Sequence, residues 1–297
     1  MLERILVPLD SSELADAVLP YAELLAGAEN SKITLMYVCE PGEKLYRQVH
    51  KFYLEKIAEL VKSHVKEYFP AKKESKLEIK SIVPMGKPSA EIASYARQHE
   101  TSLIIMNRGG RSGIMRRLMA PIADRVFKAT GIPLLMITSK PELELSPSQL
   151  LDGILVPLDG SEGGEAALPY VGELTRNLWA EVVLLQVIAP IHQVRTTHGL
   201  ESVRFTNQQI ESMQAHAKQY LKTVGKKLAG TKATLRYEVT VGDPATEVIK
   251  CANDIHTRLV AMSTHRYPGT KQWKSEEIAQ KILQATKTPV LLVKAPG

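Results

Sequence analysis

Two cysteines in 297 residues, Cys39 and Cys251, make neither a disulfide framework nor a zinc-ligand spacing with histidine or carboxylate partners. Aromatic residues are only 5% of the chain, too sparse for the interleaving of rings with Lys and Arg that marks a nucleic-acid surface. The longest apolar runs, such as Leu103-Ile104-Ile105-Met106 and Leu291-Leu292-Val293, fall far short of the ~20 residues that span a bilayer. The opening MLERILVPLD carries charge inside its apolar stretch, out of order for a secretory signal. No Walker loop GxxxxGK[ST] and no Gly-x-Ser-x-Gly elbow occurs. The expectations are a cytoplasmic protein with no metal, no membrane or nucleic-acid partner, and no catalytic residues.

What is present is a soluble balance, 44% hydrophobic and 24% charged, on a chain about twice the usual ~100–150 residues of one domain. The net charge of +6 is shared evenly: 21 basic against 18 acidic residues in 1–150, and 17 against 14 in 151–297. An excess spread this way is not a binding stripe.

Length and charge point to a duplication, and the chain contains one. Ile5-Leu6-Val7-Pro8-Leu9-Asp10 recurs letter for letter as Ile154-Leu155-Val156-Pro157-Leu158-Asp159. Leu19, Pro20, Tyr21 and Leu25 return as Leu168, Pro169, Tyr170 and Leu174 at the same offset of 149. Gly86, Pro88, Glu91 and Pro133 match Gly242, Pro244, Glu247 and Pro289 at an offset of 156. The second copy therefore holds seven extra residues, placed in the aperiodic stretch IAPIHQVRTTHGLESVRF. Residues 140–150, with two prolines and small polar residues, read as a linker between domains at 1–139 and 151–297.

Within each copy, short apolar runs alternate with helical periods. In the first they are Ile5–Leu9, Ile33–Val38, Leu77–Val83, Leu103–Met106 and Leu134–Ile137. Five strands interleaved with helices predict right-handed crossovers and a doubly wound α/β domain, twice. Ligands of such sheets bind beyond the carboxyl ends of the strands, where strand order switches. That selects the loops after the first and fourth strands.

The first of these reads Asp10-Ser11-Ser12-Glu13 and Asp159-Gly160-Ser161-Glu162. Asp followed three places on by Glu suits a helix cap, and the same carboxylate at a sheet edge suits a ribose hydroxyl or a base amino group. The loop after the fourth strand of the first copy reads Asn107-Arg108-Gly109-Gly110-Arg111-Ser112-Gly113, with Arg116, Arg117 and then Pro121 expected at a helix start. Glycines let backbone amides approach an anion, and arginines add phosphate donors.

These landmarks, ILVPLDxSE, the Gly-x-Pro before the third helix, the Met106 loop and the closing Thr130 to Ile137 and Thr286 to Val293, occur in order, twice. The chain resembles a tandem universal stress protein across nearly all of both halves. The resemblance implies a five-stranded parallel sheet in the order 3-2-1-4-5 in each domain. It also implies an internal pseudo-dimer through the last strands, with further homo-oligomerisation open. Nucleotide-binding members carry Gly-x-x-Gly, nine residues, then Gly-Ser/Thr.

Carried over residue by residue, that pattern falls on Asn107, Gly110, Ala120 and Pro121 in the first copy, with Gly113 and Ile122 beside it. One of three glycines survives, and Pro121 offers a phosphate neither an amide proton nor a hydroxyl. In the second copy the places hold Ser263, Arg266, Glu276 and Glu277, where carboxylates repel a triphosphate and Arg266 is expected to pair with one of them. The base and ribose side maps to Pro8, Asp10 and Val38, and to Pro157, Asp159 and Val187. The resulting expectation is a stress-response binding or signalling module with at most one degenerate site for ATP or another adenine nucleotide, in the first domain. The alternatives are a protein-interaction module that binds no nucleotide and, lacking SGGxDS, HIGH or KMSK signatures, a nucleotide-using enzyme of the same fold class.

Overall fold

The computed structural model describes residues 1–10, 15–29, 31–69, 77–107, 116–138, 147–196, 199–254, 257–264 and 275–296. The chain divides into two compact units, Met1–Leu150 and Leu151–Gly297.

In the first unit the apolar runs become β1 (Arg4–Pro8), β2 (Lys32–Met36), β3 (Ile79–Ile82), β4 (Leu103–Asn107) and β5 (Leu134–Ile137). All are parallel, in the order β3-β2-β1-β4-β5. Register follows the repeat: Ile5 pairs with Ile33 and with Leu103, and Leu35 with Ser81. Every residue of β4 and β5 is buried, which is why these runs are continuously apolar rather than alternating. Between the strands lie α1 (Leu19–Glu29), α2 (Arg47–Tyr68), α3 (Pro88–Gln98) and α4 (Arg116–Thr130). Helix α1 packs on α2, and α3 on α4. Helix α2 buries Leu54, Ala58, Val61 and Val65, spaced as one face of a 3.6-residue period.

The second unit repeats this order with β6 (Gly153–Leu158), α5 (Leu168–Asn177), β7 (Ala180–Ile188), α6 (Asn207–Gly225), β10 (Ala233–Val241), α7 (Pro244–Asp254), β11 (Leu259–Thr264), α8 (Ser275–Ala285) and β12 (Val290–Lys294). Its sheet runs β10-β7-β6-β11-β12, again parallel. The aperiodic stretch expected to hold the extra residues contains an antiparallel pair, β8 (Ile191–Thr196) against β9 (Gly199–Arg204). Six residue pairs, Ile191 with Arg204 through Thr196 with Gly199, make up its ladder. A bond from Phe205 N to Pro190 O, 3.1 Å, closes the base. Two-stranded pairing needs no buried face of its own to form a ladder, so the alternation that betrays a strand is weak here.

The linker also differs from expectation at its end. Pro147–Leu151 forms a 3-10 turn in which Leu150 and Leu151 are buried.

The repeated Gly-x-Pro has a packing reason. A Cβ on Gly86 would stand 2.5 Å from Glu91 Oε1, and one on Gly242 2.8 Å from Glu247 Cγ. Each glutamate folds back over its glycine, so Gly and Glu recur together.

Candidate functional site

In the first unit Pro8 ends β1 and pairs with Met36. Asp10 and Val38 follow the ends of β1 and β2, and all three are half-buried. Asn107 ends β4 and is 6% exposed. The carboxyl ends of three neighbouring strands thus bring Pro8, Asp10, Val38 and Asn107 to one edge. Around them Cys39 bridges to Met85, Gly86 N bonds Cys39 O at 3.1 Å, and the Tyr37 ring stacks on His50 at 3.8 Å. Gly110 and Gly113, with Arg108 and Arg111, lie outside the described residues, as do residues 11–14.

Ala120, Pro121 and Ile122 are not at a helix start. Helix α4 begins at Arg116, so Pro121 is its sixth residue and not its first. The turn before it is helical because Arg116 to Ala120 includes no residue that opposes a helix. Pro121 then has no N–H to give the carbonyl four residues back. The positive end of the helix dipole therefore sits near Arg116 and Arg117, more than a turn upstream of the positions carried over.

The second unit closes the corresponding edge. Pro157 is buried inside β6, and Val187 is 4% exposed inside β7, where it pairs with Thr240 of β10. Strands β7 and β10 run nine residues each, against five and four for β2 and β3.

Asp159 is held by its own loop. Its Oδ1 accepts from Ser161 N at 3.0 Å and from Ser161 Oγ at 2.7 Å, while Ser161 Oγ accepts from Gly164 N at 2.9 Å. The cap therefore runs through the serine hydroxyl into a 3-10 turn, Gly164–Ala167, which leads into α5. Glu162, expected to complete a capping box, is exposed. The next carboxylate, Glu165, accepts from Tyr220 Oη of α6 at 3.0 Å and pairs with Lys227. Burial and then the Glu165 charge push the Tyr220 hydroxyl well above the ordinary tyrosine range, so it remains a donor. Glu165 and Tyr220 escaped sequence reasoning because they stand 55 residues apart, and Ser161 entered it only as a loop residue, its bonds being hidden in the turn; the Gly163-Gly164 doublet was the available signal.

Ser263 is buried within β11, in the place of Asn107. Glu276 and Glu277 are the second and third residues of α8, where acidic residues favour the helix dipole. Arg266 lies outside the described residues, and so does its expected pairing. Among the described residues no group of three His, Cys, Asp or Glu is placed to hold a metal, and no helix is long and apolar enough to cross a membrane.

A family model described as the universal stress protein family matches residues 1–138 and again 151–294. The universal stress protein MJ0577 of Methanocaldococcus jannaschii is 23% identical over 157 residues, covering 47% of this chain and 97% of that protein. MJ0531 of the same organism is 26% identical over 149 residues, 48% of this chain and 85% of its own. Among solved structures, a universal stress protein from Archaeoglobus fulgidus DSM 4304 covers 99% of this chain and 97% of its own at 16% identity, with a TM-score of 0.62. A functionally unknown protein from Pseudomonas aeruginosa PAO1 covers 99% and 93% at 15% identity, with a TM-score of 0.67.

Proposed function

We propose, from the premise that the chain belongs to the universal stress protein family, that this stress-response module binds an adenine nucleotide at one place only. That place is the strand edge of the first unit, at Pro8, Asp10, Val38 and Asn107, with Gly110 and Gly113 for the phosphates. The observation that carries the reading is the asymmetry of the two edges. Pro8 and Val38 are half-buried where Pro157 and Val187 are buried. The first loop keeps glycines and arginines; the second holds Glu276 and Glu277. No catalysis is part of the proposal.

Titration calorimetry with ATP, ADP and AMP, with and without magnesium, tests it. Heat of binding that Gly110→Asp removes and an Arg266 substitution leaves intact is the expected result. No heat and no thermal shift at millimolar nucleotide would leave the second reading, an interaction module without nucleotide. That reading is favoured by the loss of two of the three pattern glycines in the first half and all three in the second.

A further inference from the structure

Strand β3 is the outermost strand of the first unit's sheet. Ile82 and Pro84 turn their carbonyls to β2, accepting from Tyr37 N at 3.1 Å and Cys39 N at 2.9 Å. Backbone groups of alternate residues point to opposite edges of a strand, so those of Ile79, Ser81 and Val83 point outward. One is already used as a hydrogen-bond acceptor: Val83 O accepts from Arg47 Nε at 3.1 Å. Between this edge and the first turns of α2 runs a groove of about 480 Å³, lined by Arg47, Gln48, Lys51, Ser81, Val83 and Pro84 among others. That volume lies within the roughly 300–1,000 Å³ of ligand clefts.

The groove is positive. Two of its lining residues are cations and none is a carboxylate. Lys51 pairs with Glu55 at 3.9 Å, both on the exposed side of the helix. Arg47 and Lys51 are four residues apart on α2, so their side chains emerge about 6 Å from one another, close to the ~6.7 Å between alternate residues of a strand. Val49 and Phe52, 60% and 61% exposed, lie on the outward side of the same helix. At the matching register position the second unit carries a larger side chain, which reaches the last turn of α6. Register puts Tyr237 against Leu184 where Ser81 stands against Leu35. The Tyr237 hydroxyl lies 2.6 Å from where a Cβ on Gly225 of α6 would be.

We propose that this groove docks an extended acidic segment of a partner protein, which adds to the outer edge of β3 and sets carboxylates against Arg47 and Lys51. Backbone bonds to Ser81 supply affinity without regard to sequence, as in other strand additions. Carboxylates at alternate positions supply selectivity through charge-assisted bonds. An apolar residue at the lip of the groove meets Phe52. The proposal does not depend on nucleotide binding.

The test uses the full chain and a fluorescein-labelled, capped peptide of four Glu-Val repeats, followed by fluorescence anisotropy. Saturable binding is expected, weakened at least about tenfold by Lys51→Glu or Arg47→Gln, each losing one charged hydrogen bond. The corresponding Lys-Val peptide is expected not to bind. Peptides N-methylated on the Glu set or on the Val set keep their charge, and one of the two is expected to bind at least about tenfold more weakly, because it has lost its backbone donors. Ser81→Tyr, which copies the second unit, is expected to abolish binding; Lys51→Glu, on an exposed position, keeps the readout if that variant does not fold. Absence of saturable binding at millimolar peptide, equal affinity for Lys51→Glu, or equal affinity of both methylated peptides would each overturn the proposal.

Discussion

Asp10 and Asp159 stand at the same place in two copies of one hexapeptide, and Asp159 is tied into its own turn. Whether such an aspartate faces a ligand depends on the residues after it, and Ser161 with Gly164 decides the matter in the second unit. A Cβ on Gly164 would overlap Asp159 Oδ1. Gly164→Ala is therefore expected to destabilise the second unit by roughly 1–3 kcal/mol, the usual cost of overpacking, read by denaturant unfolding. Asp159→Ala should remove most of that penalty when combined with it; a fully additive double variant would show that the contact is not the cause. None of this was visible in the repeated letters, because Gly164 N and Ser161 Oγ meet only through the curl of the turn.

At the scale of elements, strand existence was legible and helix limits were not. The apolar runs at Ile5, Ile33, Leu103 and Leu134 became strands because a parallel sheet buried on both faces requires continuous apolar sequence. Proline at 121 suggested a helix start, since that position tolerates it; the helix-compatible run Arg116 to Ala120 extends α4 upstream instead. Pro121→Ala should restore one hydrogen bond inside α4 and stabilise the first unit by up to ~3 kcal/mol. A lower unfolding midpoint in that variant would place the benefit of the proline elsewhere.

Pairing of α1 with α2 buries Glu23, whose carboxylate accepts from His64 at 2.9 Å. Burial raises the Glu23 pKa above its ordinary 4.5, with His64 pulling it partly back. The folded chain holds that proton more tightly than the unfolded chain. Stability should therefore fall as pH climbs through the window between 4.5 and the raised value. Glu23→Gln is expected to flatten this fall in a series of melting temperatures taken upward from pH 4.5. An unchanged slope would assign the effect to other groups.

For the whole molecule, duplication has given two units with one topology and two unlike edges. Calorimetric stoichiometry is expected to be one nucleotide per chain, and Asp10→Ala should abolish the heat where Asp159→Ala leaves it. Two equivalent sites would contradict the asymmetry drawn from Val38 and Val187. Much of this molecule can be read from its letters alone: the duplication, the order of strands and helices, the family, and the decay of the glycine pattern. All of these are carried by short-range periodicity and by identities at a fixed offset. The tertiary fold alone decided which copy of a shared position stays open. The half-burial of Val38 against the burial of Val187 and the groove beside Ser81 are set by partners far apart in the chain, and the bonds around Asp159 by the curl of its own turn. Identical residues cannot announce such differences, because burial belongs to the neighbours that packing brings.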